Sequence, residues 1–246
     1  MSAHDTAGGL SAFKSPKIKS ECHGFFTKGT PSCNVAFNRG DPADAVLANR
    51  ERIKSFFSPK ATSIVFTEQA HTNVVRVITN VPTEDPSTIS DQYDAIVTHC
   101  PGVLIGVYTA DCVPVLLYSE SVIGVIHCGW KGLKAKIIGN VLKTMNNFGA
   151  TNIVAAIGPC IRKKNYVVDE SFLEHFPSED CNAEMLNGEL HVDLPSIARA
   201  QLHELTNVTD IEIDTYDNPN LFFSYRRHLQ AGHQTLPKAQ ASVLML

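Results

Sequence analysis

The sequence predicts a mixed α/β fold in a single domain. Three observations carry that expectation: a central series of short apolar runs, one long amphipathic segment after them, and ordinary composition without a repeat or an evident linker. With 43% hydrophobic and 19% charged residues, the chain reads as globular rather than disordered or fibrous. Residues 1–17, rich in Gly, Ser, Ala and Lys, are expected to form a flexible arm ahead of a domain spanning 18–246.

The elements follow in order. "ATSIVFTEQAHTNVVRVI" reads as two strands, Ser63–Thr67 and Asn73–Ile78, joined by a polar turn. Val74, Val75, Val77 and Ile78 are β-branched and favour the pleated conformation. "VPTEDPSTISDQ" is a loop by its Pro, Asp and Ser content. "AIVTH", "VLIGVYTA", "VPVLLY" and "VIGVIH" are strands apolar on both faces, as in a sheet covered on both sides. In "GLKAKIIGNVLKTMNNFGA", Leu133, Ile137, Val141, Met145 and Phe148 recur every three or four residues, which predicts an amphipathic helix stopped by Gly149. "NIVAAIGP" is another buried strand. "DESFLEHF" starts a helix with Asp169 as N-cap. Asn187-Gly188 marks a hairpin. Pro195 sits near the first turn of a helix in "DLPSIARAQLHEL", and "ASVLML" is a last strand set deep in a sheet.

Charge and cysteine content narrow the function classes. The net charge is -4 and the basic residues are dispersed, apart from "RKK" at Arg162–Lys164, so no clustered footprint for nucleic acid is present. No apolar run approaches the ~18 residues that span a bilayer, and the N-terminal stretch lacks the apolar core of a secretory signal. Seven cysteines without a regular framework fit reduced thiols, so a cytoplasmic location is expected, with neither membrane nor nucleic acid as partner.

Three places combine unusual residues with strand ends: "EQAHTN" with His71, "TADCVP" with Cys112, and "VIHCGWKG" with His127. Together they offer one thiolate and two imidazoles. That set suits three ligands of a tetrahedral Zn²⁺ whose fourth position stays open, the pattern of a catalytic zinc. It equally suits a Cys–His dyad with Cys112 as nucleophile and His127 as base. Spacing alone leaves both open. Asp111 points opposite to Cys112 in a regular strand, which favours a supporting role that orients His71 or His127 over direct proton transfer. Pro114 is expected to interrupt pairing where the ligand is presented. Trp130 either packs the strand-to-helix turn or borders a ligand, and Cys128 faces away from the site.

"HGFFTK", "DPADAVLANR", "QAHTN", "TADCVPVLL", "HCGWKG", "IGPCI" and "FFSYRR" occur in the order seen in the YfiH family, and the chain resembles that family from about His23 onward. Members have been called polyphenol oxidases or laccase-like proteins, purine nucleoside phosphorylases and peptidoglycan-editing factors. The resemblance implies a layered α/β/β/α sandwich and one zinc per chain on His71, Cys112 and His127. It also implies phosphorolysis of adenosine, inosine, guanosine and methylthioadenosine, with deamination of adenosine. The implied partners are therefore purine nucleosides and phosphate; the sequence does not fix the oligomeric state, a monomer or a weak dimer. Arg50, in "LANR", is the expected phosphate ligand, since a guanidinium binds phosphate through two parallel bonds. Ser32, in "KGTPSC", falls where relatives carry the serine of a "GGVS" turn. This chain departs there, with Lys28 in place of an arginine and one glycine fewer.

Two other readings accompany this one. A Cys–His hydrolase or peptidoglycan-editing amidase would use the dyad. A copper-dependent polyphenol oxidase is disfavoured, because a trinuclear copper cluster needs His-x-His pairs and none of the ten histidines forms one. A single copper in place of zinc fits the same ligands.

Overall fold

The structure is a computed structural model that describes residues 4–37, 39–81, 91–176 and 178–246. The loop expected over 81–92 falls mostly on 82–90, outside the described residues. The chain begins with β1 (His4–Ala7), β2 (Leu10–Phe13), β3 (His23–Phe26) and helix α1 (Ala43–Phe56). Then come β4 (Ser63–Phe66), β5 (Val75–Ile78), β6 (Ala95–Thr98), β7 (Val103–Thr109), β8 (Val113–Tyr118) and β9 (Ile123–Cys128). Helices α2 (Trp130–Lys134) and α3 (Ile137–Asn147) lead to β10 (Val154–Ile157) and β11 (Val167–Val168). The last part holds α4 (Ser178–Cys181), β12 (Glu184–Leu186), β13 (Glu189–His191), α5 (Leu194–Gln201), β14 (Asn207–Asp210), α6 (Tyr225–Gln230) and β15 (Gln240–Leu244).

Two six-stranded sheets form the centre, in the orders β1-β2-β3-β15-β7-β4 and β14-β10-β8-β9-β6-β5. Alternation along each strand decides what lies on either side. On β7, Val103, Ile105 and Val107 face the second sheet, where they pack with Ile96, Leu116, Val125 and Ala156. Leu104 and Tyr108 face the other way, toward Ile53 of α1 and the adjoining Phe57. On the second sheet, Val97, Val113, Val115 and Ile126 pack against Leu133, Ile137, Val141 and Ile197 of α2, α3 and α5. The result is four layers, helix, sheet, sheet and helices, and it explains why the central runs are apolar on both faces. Each fully buried Leu or Ile contributes about 1.5–3 kcal/mol.

Several local expectations change. Residues 4–13, predicted as a flexible arm, form β1 and β2 on the edge of the first sheet. Leu10 and Ala12 are buried there, which composition alone did not reveal. The single helix expected after Gly132 is two, divided at Lys136, whose φ of 60° is left-handed. Phe148, placed on its buried stripe, is exposed and stacks on His99. The helix after Asp169 is 3₁₀, and the Asp169 carboxylate accepts from the Ser171 N–H at 2.9 Å as a cap. Pro114 does not interrupt pairing: it lies opposite His127 in the β8–β9 register. The His127 N–H turns instead to the Asp94 carbonyl at 2.8 Å, so the proline's missing donor costs that pair nothing.

Candidate functional site

His71, Cys112 and His127 come together at one end of the second sheet, each offering a ligand atom within 4.8 Å of the others. They arrive by different routes. His127 is the penultimate residue of β9 and is buried. Cys112 follows the turn out of β7, where Asp111 takes a left-handed φ of 98°. His71 sits in the loop between β4 and β5, with φ 59°. Among the described residues this is the set of three or more His, Cys, Asp or Glu side chains arranged to hold a metal.

The residue that organises the set is Asp94, at the head of β6. Its carboxylate is fully buried. It accepts from the backbone N–H groups of Ala70 at 3.2 Å, His71 at 3.0 Å and Thr72 at 2.7 Å, and from the Thr72 hydroxyl at 2.8 Å. It also accepts from His127 Nδ1 at 2.7 Å, which leaves Nε2 as the free ligand atom of that ring. One carboxylate thus fixes the His71 loop and orients His127. The rings of His71 and His127 meet edge to face, 4.8 Å between centroids. Gly129 makes room for this: a Cβ there would overlap His71 Nδ1 and lie 2.9 Å from Cε1. The glycine of "HCGW" is therefore a packing requirement of the His71 ring.

Electrostatics follow from the same contacts. His71 is exposed to solvent on one side, but the desolvation of its ring within the cleft and the charge on His127 still push its pKa down to about 4, so its lone pair is free near neutrality. Burial works against a charged His127, but Cys112 and Asp94 outweigh it and raise its pKa to about 9. Burial also opposes ionisation of Asp94, yet the bond and charge of His127 and the Thr72 donors hold it at about 2. A metal would displace the His127 proton. Tetrahedral zinc needs N and S ligands roughly 3.3–3.6 Å apart, so the set fits such an ion with a small inward adjustment.

The ligands line a cleft of about 460 Å³, a size that suits a small organic molecule. Its walls carry the aromatic rings of Tyr108, Trp130, Tyr166 and Tyr225 and the cations Arg39, Lys131 and Arg226. Trp130 stacks on His175, 5.3 Å between centroids and nearly parallel, so it both packs the turn and borders the cleft. Cys128 and Cys160 are fully buried in the core beneath.

Three expected site residues stand elsewhere or act differently. Arg50 does not line the cleft. It lies on the buried stripe of α1 with Val46, Asn49 and Ile53, only 3% exposed. Its Nε donates to the Val35 carbonyl at 2.9 Å, and its guanidinium carbon is 4.4 Å from the Phe37 ring centroid and 4.8 Å from that of Phe66. Ser32 is exposed in a turn and is not part of the cleft wall. Asp111 orients neither histidine: it accepts from the Thr215 hydroxyl at 2.6 Å, the Ser224 hydroxyl at 2.9 Å and the Arg226 N–H at 2.7 Å. Asp94 and Arg226 are the residues that sequence reasoning passed over. Asp94 gave the same signal as Asp111, an acid at the mouth of an apolar strand in "YDAIVTH".

Comparison with known proteins identifies the family and the fold. The model of a family described as multi-copper polyphenol oxidoreductase laccase matches residues 19–236. A purine nucleoside phosphorylase of Rickettsia prowazekii is 36% identical over 200 residues, 76% of this chain and 80% of that protein. YlmD from Geobacillus stearothermophilus superposes with a TM-score of 0.85 at 22% identity, over 100% of this chain and 99% of the other. The hypothetical protein YfiH from Bacillus licheniformis gives 0.80 at 23% identity, over 98% and 97% of the two chains.

Proposed function

The chain belongs to the family described as multi-copper polyphenol oxidoreductase laccase, and we propose that it is a zinc-dependent purine nucleoside phosphorylase that also deaminates adenosine. The carrying observation is the convergence of His71, Cys112 and His127 at a cleft that also presents aromatic faces and cations. Relatives named purine nucleoside phosphorylase support the reaction class. Only one metal-holding set occurs among the described residues, which favours a single ion over a multicopper cluster. Copper fits these ligands as a substitute.

His71, Cys112 and His127 would hold the ion. Bound zinc supplies Lewis acidity and lowers the pKa of water toward neutrality, the chemistry that deamination needs. The protein's own groups do the rest. Asp94 keeps His127 in the tautomer that presents Nε2. Tyr166, Tyr225 and Trp130 offer flat apolar faces to a purine. In phosphorolysis the C1′–N9 bond breaks and its electron pair leaves with the base, which takes up a proton, while a phosphate oxygen bonds to C1′. That reaction requires a bound phosphate, and the cleft's cations are suited to it.

A second reading has support from one contact. Cys112, His127 and Asp94 also form a nucleophile, base and orienting acid, as a Cys–His hydrolase requires. It leaves His71 and the glycine that accommodates it without a task, so the metal is preferred. The test is to incubate zinc-loaded protein with adenosine, with and without phosphate, and separate the products. Adenine and ribose 1-phosphate are expected with phosphate and inosine without it, and Cys112→Ala is expected to abolish both along with the bound zinc. Neither product, or activity that survives chelation but not thiol alkylation, would replace this reading with the hydrolase.

A further inference from the structure

The motif "FFSYRR" ends in two arginines with opposite fates. Arg227 is spent on the backbone: it donates to the carbonyls of Thr215 at 2.8 Å, Tyr216 at 2.7 Å and Phe222 at 2.6 Å. Arg226 lines the cleft instead. Its guanidinium carbon lies 5.4 Å from the Tyr166 ring centroid, and its one hydrogen bond from the side chain is a long one, 3.4 Å to the Asn165 carbonyl. Most of its donor fork is thus uncommitted among the described residues, at the wall of the cleft that His71, Cys112 and His127 also line.

Asp111 holds it there. The carboxylate is 7% exposed and is spanned by Thr215 on one oxygen and by Ser224 and the Arg226 N–H on the other. The Ser224 hydroxyl in turn accepts from the Arg227 N–H at 3.2 Å, capping α6. Two more backbone bonds join the same turn to the cleft wall, from Tyr225 N–H to the Ala110 carbonyl at 3.4 Å and from Ile161 N–H to the Asp111 carbonyl at 2.9 Å. The left-handed backbone at Asp111 sends its carboxylate into this wall while the next residue, Cys112, joins the imidazoles. Adjacent residues therefore serve two different parts of one site.

We propose that Arg226 grips the phosphate co-substrate and that Asp111 is the positioning residue that fixes Arg226 relative to the metal ligands. The proposal rests on the phosphorylase reading above. A guanidinium with free N–H groups recognises a phosphate through paired bonds, whereas Arg50, stacked between the Phe37 and Phe66 rings on the buried side of α1, does not line the cleft. Lys131 and Arg39 also line this cleft, the Lys131 Nζ 5.7 Å from the Trp130 ring centroid.

The experiment titrates zinc-loaded protein with orthophosphate by calorimetry, without nucleoside, and measures KM for phosphate and for adenosine separately. Arg226→Gln is expected to weaken phosphate binding and raise its KM about tenfold or more, with zinc still at one per chain and a much smaller change in KM for adenosine. Arg226→Lys is expected to recover part of the loss, and Asp111→Asn to fall between wild type and Arg226→Gln. Phosphate affinity that is unchanged in Arg226→Gln, or that falls only together with zinc content and adenosine KM, overturns the proposal. Absence of phosphate binding to the wild type overturns it as well. If the wild type binds phosphate through Arg226 yet yields neither adenine nor inosine, the assignment of Arg226 stands and the phosphorylase reading fails.

Discussion

Asp94 and Asp111 are both buried carboxylates beside the same ligand set, and each collects several hydrogen bonds, yet their surroundings push them in opposite directions. Burial disfavours the charge of both. At Asp94 the imidazole of His127 answers that penalty with an opposite charge at 2.7 Å, and the carboxyl stays well below its ordinary range. At Asp111 the donors are a backbone N–H and two hydroxyls, which soften the penalty without cancelling it, and the carboxyl stays above its ordinary range. The state of a buried carboxylate is therefore set less by how many bonds it accepts than by whether a donor carries a positive charge in direct contact; Arg227 acts on Asp111 without a direct bond and does not offset burial. Asp94 belongs to the chemistry of the ligands, and Asp111 to the architecture of the opposite wall.

The sharpest way to break this contrast is to neutralise each acid without changing its shape. Asp94→Asn is expected to lower zinc affinity by about 10–100-fold, because His127 loses the acceptor that fixes its tautomer; competition with a chromogenic chelator measures it. Asp111→Asn is expected to leave zinc affinity within about threefold while costing about 1–3 kcal/mol of stability, since an amide NH₂ must face the Arg226 N–H or a hydroxyl donor; denaturant unfolding reads that cost. Equal losses of zinc affinity in the two variants would erase the distinction.

The smallest effect concerns pH. In metal-free protein His127 has a folded pKa raised from 6.5 to about 9. Its contribution to stability is fully present below the unfolded value and is lost as pH rises through the folded one. The Tm of metal-free protein is thus expected to fall by a few degrees between pH 6.5 and 9. The slope flattens in Asp94→Asn and persists in Asp111→Asn. A Tm flat across this range in the wild type would mean that the buried pair is not charged.

Much of this was legible from residue order. The two-faced apolar strands announced a covered sheet, and "QAHTN", "TADC" and "HCGW" supplied the two imidazoles and the thiol that the fold brings together. What stayed hidden depended on partners distant in sequence. Asp94 meets His71 and His127 only once β6 lies beside β9. Arg50 looked like a free cation, although its spacing from Val46, Asn49 and Ile53 places it on the inward stripe of α1. Leu10 and Ala12 sit among small polar residues in a stretch that reads as loose, and their pairing is visible only in the fold, Leu10 with Ala7 of β1 and Ala12 with both Asp5 of β1 and Phe26 of β3. Sequence periodicity reveals which face is buried, but not which distant strand supplies the polar contact at its end.

The position of β15 has a consequence for how the protein is made. Residues 240–244 pair between β3 and β7, in the middle of the first sheet. A nascent chain halted before residue 240 would leave both those strands with open edges, and β7 runs directly into the turn that presents Cys112. Sheet completion by so late a strand also requires contacts far apart in sequence, which slows folding. The ligands thus precede in the chain the strand that completes the sheet behind them, and the site is backed by a closed sheet only once residues 240–244 have paired with β3 and β7.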